Sequence, residues 1–317
     1  MDKEAADGAA MTSSSVDLRL CYQPPLDWSS LLGFLALRAT PGVELVDGDA
    51  YRRSVRLGGT SGIIEVSRIR DGNHLLLRAP AAFEPSLPYL RSRIERIFDL
   101  TTATADIAAQ LTSDATLGSA VTTFPGIRVP GSWAGFETAV RAILGQVVSV
   151  KAATALAGRL VARHGEELGA QAVPGLSHLF PTPERLADAD LTELGLSGQK
   201  MRSIGALARE VASGRLRLDS PGDTAATAAR LLTLPGVGPW TVQYISMRAL
   251  GESDAFPAGD LILRRAAAPK PGVTLTEAGL TALAERWRPW RAYAAMLLWA
   301  SYSAPRPAPG SVAGGGA

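Results

Sequence analysis

Leu234-Pro235-Gly236-Val237-Gly238-Pro239-Trp240-Thr241 reads as a tight glycine hairpin between two helical patterns. Its glycines permit positive φ and close approach of another chain. Pro239 suits the first turn of a helix, where its missing N–H costs nothing. Such a helix opens with unpaired backbone N–H groups and the positive end of its dipole, which together suit a phosphate. Taken alone, such a hairpin is mostly an ordinary structural corner between two helices. Downstream, Asp254-Ala255-Phe256-Pro257-Ala258-Gly259-Asp260 leads into Leu261-Ile262-Leu263-Arg264-Arg265. Asp260 falls where a helix N-cap is expected; a cap and a carboxylate held ionised for chemistry are compatible roles. Trp240 and Tyr244 are four apart and share a helix face. Trp299 lies on the last apolar helix, and four of the six tryptophans stand at or after position 240. This concentration suggests an aromatic-lined cleft, with Trp287 and Trp290 read as core.

The composition narrows the chemistry. The 317 residues include 32 Lys+Arg and 30 Asp+Glu, a net charge of +2, so a nucleic-acid role must rest on local features. Only four of the 32 basic residues are lysines: Lys3, Lys151, Lys200 and Lys270. The single cysteine, Cys21, excludes an intrachain disulfide, a cysteine-rich zinc site and a four-cysteine iron–sulfur cluster. His74, His164 and His178 are scattered without ligand spacing. Ala292 to Pro305 is the longest uncharged apolar-leaning stretch and falls short of the roughly 20 residues that span a bilayer. Together with an acidic start lacking a hydrophobic signal core, this reads as a cytoplasmic protein.

Around these residues the chain reads as an α+β opening followed by helices. Val16, Leu18, Leu20 and Tyr22 alternate as a strand that Pro24-Pro25 ends, and Asp27 caps a helix through Trp28 to Leu37. Strand patterns follow at 43–46, 51–57, 63–69 and 75–77, with turns at Asp47-Gly48, Gly58-Gly59 and Asp71-Gly72-Asn73. Leu90, Ile94 and Ile97 then switch to helical spacing, and beyond about residue 112 that period dominates. Cys21, set in the first strand pattern, reads as a buried core residue. The expected division is a tail at 1–15, an α+β domain at 16–104, helical regions at 105–229 and 230–303, and a tail at 304–317.

The hairpin and the aspartate following it resemble the helix-hairpin-helix DNA glycosylase superfamily. Further stretches narrow the likeness: Gln23-Pro24-Pro25-Leu26-Asp27-Trp28, Leu32-Gly33-Phe34-Leu35-Ala36, Arg141-Ala142-Ile143-Leu144-Gly145-Gln146, Phe180-Pro181-Thr182-Pro183 and Trp287-Arg288-Pro289-Trp290-Arg291-Ala292-Tyr293-Ala294. In that order they are similar to bacterial 3-methyladenine DNA glycosylase II, the AlkA type, over roughly residues 17–302.

The resemblance implies an antiparallel-sheet α+β domain followed by two all-α domains, with an active-site cleft between the helical domains. It implies a monomeric enzyme acting on duplex DNA that contains damaged bases. By the same resemblance Asp260 is catalytic, and Trp240, Tyr244 and Trp299 stack on the extruded base. Gly236 and Gly238 grip the DNA backbone, and the carbonyls of Leu232, Leu234 and Val237 hold a monovalent cation. Val147 matches the wedge that fills the gap in the duplex; its other reading is a core or interface residue. Arg248, Arg264, Arg286, Arg288 and Arg291 are expected to add positive surface. Members that also nick the backbone carry a lysine where this chain has Trp240, so the resemblance implies base removal without strand cleavage. No iron–sulfur cluster and no zinc is expected. Two other readings remain at this level, a glycosylase for oxidised or deaminated bases and a non-catalytic damage-binding protein.

Overall fold

In the computed structural model, which describes residues 15–219 and 222–303, the chain opens on an antiparallel sheet. Strand β1 (Ser15–Cys21) leads to helix α1 (Trp28–Ala36), whose first turn is capped by Asp27 accepting from the Ser30 amide at 3.0 Å. Strands β2 (Glu44–Asp47), β3 (Ala50–Leu57), β4 (Thr60–Arg68) and β5 (His74–Pro80) follow as hairpins, and β1 closes the sheet beside β5 in the order β1-β5-β4-β3-β2. The register pairs Leu20 with Leu75, Leu18 with Leu77 and Tyr51 with Val66. Period-two alternation therefore sends Leu20, Tyr51, Ile64, Val66, Leu75 and Leu77 to one face. Helix α2 (Leu87–Ile97) covers that face with Leu90, Ile94 and Ile97, and α1 contributes Trp28, Leu31, Leu32 and Leu35. The same alternation turns Cys21 outward. It is exposed at the end of β1, not buried as expected, because Leu20 and Tyr22 take the inward positions.

The remainder is helical: α3 (Thr104–Leu111), α4 (Gly118–Thr123), α5 (Gly135–Leu144) and α6 (Val150–His164) come first. A short ladder of β6 (Glu166–Glu167) and β7 (His178–Leu179), which helical spacing does not reveal, separates them from α7 (Pro183–Ala187). Then come α8 (Gly198–Ala212), α9 (Thr224–Leu232) and α10 (Pro239–Ile245), which runs on into one wider π-helical turn, Ser246–Leu250. The last helices are α11 (Leu261–Ala266), α12 (Glu277–Ala284) and α13 (Arg291–Ser303). Among the described residues no helix is long and apolar enough to cross a membrane. The expected tails lie outside the described residues, except that β1 begins at Ser15.

Two apolar cores organise these helices, and they divide the chain differently from its linear order. One gathers Val140, Ile143, Leu160, Ile204 and Leu207 with Leu231, Leu234, Val237 and Ile245, so the hairpin packs with α5 to α8. The other joins Ile107 and Leu111 of α3, the α4 cap Leu117 and Val121 of α4 to Leu263, Leu280, Trp287 and Leu297. Trp287 is fully buried there, as read from the sequence, whereas Trp290 is half-buried and donates through Nε1 to Gln110. Tyr244 touches both cores, and Phe34 of α1 packs with the second.

The sheet is fixed to the helices by a buried ion network. Arg53 of β3 meets Glu137 of α5 at 2.9 Å and Glu44 of β2 at 3.7 Å, and Arg141 of α5 meets Glu44 at 2.7 Å. Tyr51 donates its hydroxyl to Glu44 at 2.6 Å, and the Thr40 amide donates at 3.1 Å. Burial pushes the Glu44 carboxyl up, but the guanidiniums of Arg141 and Arg53 outweigh it and hold the group below its ordinary value. Removing one partner leaves buried charge unanswered, which is costlier than never having placed the pair. Glu137→Ala is expected to lose about 3–5 kcal/mol of stability in urea or guanidinium titrations. A loss below about 1 kcal/mol would show that the network does not hold the sheet in place.

Candidate active site

The hairpin between α9 and α10 is built from alternately buried and exposed residues. Leu234 and Val237 point into the core, while Pro235, Gly236 and Pro239 face solvent. Gly236 has φ 73°, and a Cβ there would stand 2.3 Å from Gln199 Nε2 and 2.5 Å from Ser203 Oγ. Ser203 in turn donates to the Pro235 carbonyl at 2.6 Å, so α8 braces the turn from behind. Gly238 is the N-cap of α10 and has open space where a side chain would project. The first amides of α10 are thereby left uncovered, which is what phosphate binding through backbone requires.

Beside the hairpin lies the turn between α5 and α6. Gln146 donates from Nε2 to the Gly236 carbonyl and to Thr241 Oγ1, both at 2.9 Å, and so ties this turn to the hairpin. The next residue, Val147, is fully exposed and has φ 57°. The alternative reading of a core residue is therefore set aside by its exposure. A β-branched residue in the left-handed region is strained, and nothing packs against this side chain to compensate. Val148 and Val150 are also exposed, so an apolar tip projects beside the amide-bearing turn.

Trp240 and Tyr244 share one face of α10 as their spacing requires, with rings stacked at 5.6 Å and 19°. Trp299 of α13 meets Tyr244 edge-on at 6.3 Å. Asp260 caps α11, and its Oδ1 accepts from the Ile262 amide at 2.9 Å, the Leu263 amide at 3.0 Å and Trp299 Nε1 at 3.3 Å. Among the described residues Oδ2 accepts no hydrogen bond, so that oxygen is free to act while its twin fixes the carboxylate. The structure thus brings the cap and the aromatic trio into one run of contacts, with the hairpin directly preceding Trp240.

Phe34 of α1 and Arg38 just beyond its end complete the wall, although the sequence shows no chemistry in that part of the chain. Phe34 packs against Trp299 at 6.3 Å. The Arg38 guanidinium lies 3.7 Å from the Phe34 ring centre, and that of Arg248 lies 4.8 Å from the same ring. Arg248 also donates to the Tyr244 hydroxyl at 3.0 Å. Burial pushes the Tyr244 phenol up, but the guanidiniums of Arg248, Arg38 and Arg141 prevail and lower it. The signal for Phe34 was available, since it stands in the Leu32-Gly33-Phe34-Leu35-Ala36 stretch that carries the resemblance.

The expected positive surface is largely paired within the protein, although Arg286 and Arg288 stay exposed. Arg248 is buried; Arg286 pairs with Asp114 at 3.1 Å, and Arg288 and Arg291 both pair with Asp254. Arg264 donates to the Leu275 carbonyl at 2.6 Å. Asp254 ties its loop to Arg288 and Arg291. Among the described residues no cluster of His, Cys, Asp and Glu is arranged to hold a metal ion.

Two family models match the chain: AlkA N-terminal domain over residues 17–134, and HhH-GPD superfamily base excision DNA repair protein over residues 140–291. The chain is 39% identical over 299 residues to a "Probable bifunctional transcriptional activator/DNA repair enzyme AlkA" of Mycobacterium tuberculosis, covering 94% of this chain but 60% of that relative's length. It is 36% identical to "DNA-3-methyladenine glycosylase 2" of Escherichia coli, covering 88% of this chain and 95% of the relative. A solved structure of a 3-methyladenine DNA glycosylase from Archaeoglobus fulgidus shares the fold, with a TM-score of 0.77 at 23% identity over 90% of this chain and 98% of that one. The chain belongs to the AlkA family within the HhH-GPD superfamily.

The strain at Val147 gives a direct test of the wedge turn. Val147→Gly relieves a left-handed conformation that costs a non-glycine residue about 1–2 kcal/mol, against about 0.5–1 kcal/mol of added chain entropy in the unfolded state. With no packing to lose, the variant is expected to gain about 0.5–1 kcal/mol in stability while losing the apolar tip. A stability loss above about 1 kcal/mol in denaturant titrations would mean the side chain packs in the free protein.

Proposed function

We propose that this protein is a monofunctional DNA glycosylase that extrudes alkylated purines such as 3-methyladenine from duplex DNA and hydrolyses their N-glycosidic bonds. The observation that carries this reading is the Asp260 carboxylate, anchored through one oxygen beside Tyr244 and Trp299 with the other oxygen free. A pure DNA-binding protein has no use for a fixed carboxylate in a cleft that faces a polyanion. The names of the relatives with 36% and 39% identity support the same chemistry.

Each part of the site has a step to perform. The amides at Gly236, Gly238 and Trp240 hold the DNA backbone, which suits a chain whose net charge is only +2. Extruding a base costs a few kcal/mol, least for a damaged or mispaired one. Val147 enters the vacated space as an apolar plug. The base lies against Trp240, Tyr244 and Trp299. As the C1′–N bond lengthens, positive charge grows on the sugar; Asp260 stabilises it and takes a proton from the attacking water through Oδ2. Trp240 stands where a lysine nucleophile would be needed, so no covalent enzyme–sugar adduct forms and the abasic strand stays whole. The protein acts as a monomer in this scheme.

A monovalent cation fits the hairpin turn. Leu234 O accepts the Val237 amide at 3.2 Å, while among the described residues the Leu232 and Val237 carbonyls accept no hydrogen bond. The carbonyls of Leu232, Leu234 and Val237 would hold such an ion, which would supply positive charge for binding a phosphate. No iron–sulfur cluster or zinc is required.

Asp260→Asn keeps the cap but loses the charge, and is expected to slow base release at least 100-fold with DNA affinity by fluorescence anisotropy changed less than threefold. Turnover within tenfold of wild type would remove Asp260 from the mechanism. Borohydride should trap no protein–DNA adduct with the wild-type chain, and a trapped adduct would refute the monofunctional assignment.

A further inference from the structure

The loop that delivers Asp260 is held from two helices by unequal means. From α13 the holds are several. Asp254 pairs with Arg291 at 2.7 Å and with Arg288, the Ala292 amide donates to the Ser253 carbonyl at 2.9 Å, and Trp299 Nε1 donates to Asp260 itself. From α10 there is one. The Phe256 amide donates to Gln243 Oε1 at 2.9 Å, and among the described residues no other hydrogen bond joins α10 to residues 254–260. An amide N–H can only donate, so the half-buried Gln243 side chain turns its carbonyl oxygen to the loop.

The helix that makes this contact also carries the rest of the site. Trp240 and Tyr244 stack on one of its faces, Thr241 receives Gln146 of the wedge turn at 2.9 Å, and its first amides are the uncovered ones. The loop in turn carries position from Gln243 to Asp260. The Ala258 amide donates to the Phe256 carbonyl and the Asp260 amide to the Pro257 carbonyl, both at 2.9 Å, so residues 256–260 are folded on themselves as one short piece. Phe256 is buried, with its ring edge-on to Trp287 at 5.7 Å. Turning its amide toward another partner would move that ring within the core, and leaving the amide unpaired carries its full desolvation cost. We infer that Gln243 is a positioning residue, which sets the Asp260 carboxylate relative to the stacking face and the amides of α10. The inference rests on the glycosylase reading above and deepens it. A carboxylate stabilises a sugar cation only from where it is aimed, and a misplacement of about 1 Å can cost about 100-fold in rate.

The test reads the aim of the carboxylate without turnover. Binding of two duplexes is compared by fluorescence anisotropy. One carries a pyrrolidine ring, cationic at neutral pH, in place of one nucleotide's sugar and base; the other carries a neutral tetrahydrofuran ring there. The cationic ring reports a well-aimed carboxylate, and the neutral ring reports the grip on DNA alone. The wild-type protein is expected to prefer the pyrrolidine duplex at least about tenfold. Gln243→Leu is expected to lose at least about fivefold of that preference, with tetrahydrofuran affinity held within about twofold. Gln243→Asn withdraws the amide by one methylene and is expected to lose preference likewise. Gln243→Glu restores an acceptor at full length and is expected to regain about half of the loss on a logarithmic scale. Because each preference is a ratio taken on one preparation, partial unfolding cancels. Single-turnover release of 7-methylguanine should fall about tenfold in the leucine and asparagine variants. A preference unmoved in both, an equal loss on both duplexes, or a glutamate variant no better than leucine would overturn the assignment. So would a wild-type protein that releases 7-methylguanine without preferring the pyrrolidine duplex. A wild-type protein that releases no 7-methylguanine overturns the glycosylase reading itself, and this one with it.

Discussion

One carboxylate oxygen, Oδ1 of Asp260, organises the site. It accepts two amides of α11 and the indole N–H of Trp299, so a single atom starts a helix, fixes a carboxylate and orients an aromatic ring. Oδ1 is engaged by three donors, so Oδ2 is the oxygen to which the proposed mechanism assigns proton transfer. The aromatic trio follows from the same anchor: Trp299 is placed by Asp260, Tyr244 meets its edge, and Trp240 stacks on Tyr244 one helical turn away.

The second constraint is the docking of the sheet. Glu44, Arg53, Glu137 and Arg141 join β2 and β3 to α5 in a setting where unpaired charge is costly. With the sheet fixed there, α1 reaches across to α13, and Phe34 and Arg38 become part of a wall otherwise built by residues two hundred positions later. The N-terminal domain is thus a component of the pocket. The net charge of +2 suits the proposed use of hairpin amides, in place of lysines, to hold a DNA backbone.

What was legible in the sequence was what local rules govern. Alternation located the strands, Asp27 and Asp260 announced the caps they make, and the spacing of Trp240 and Tyr244 placed both rings on one face. What long-range packing decides was not legible. The union of α3 and α4 with α11 to α13 depends on contacts far apart in sequence. The fate of Arg248, Arg286, Arg288 and Arg291 depends on partners that no local pattern names. Cys21 is the instructive exception, because the alternation that placed Leu20 and Tyr22 inward already required it to face outward. Val147 lies between these cases: its position beside Gln146 is a matter of sequence, while its left-handed, fully exposed state is a property of the turn.

The central claim is that this cleft frees damaged bases by hydrolysis. Its most direct test is mass spectrometry of the bases released when the full chain is incubated with duplex DNA treated with a methylating agent. The account predicts free methylated purines in the soluble fraction and strands that remain unbroken until the abasic sites are cleaved chemically. Release no greater than from buffer alone, or strand scission accompanying release, would contradict it.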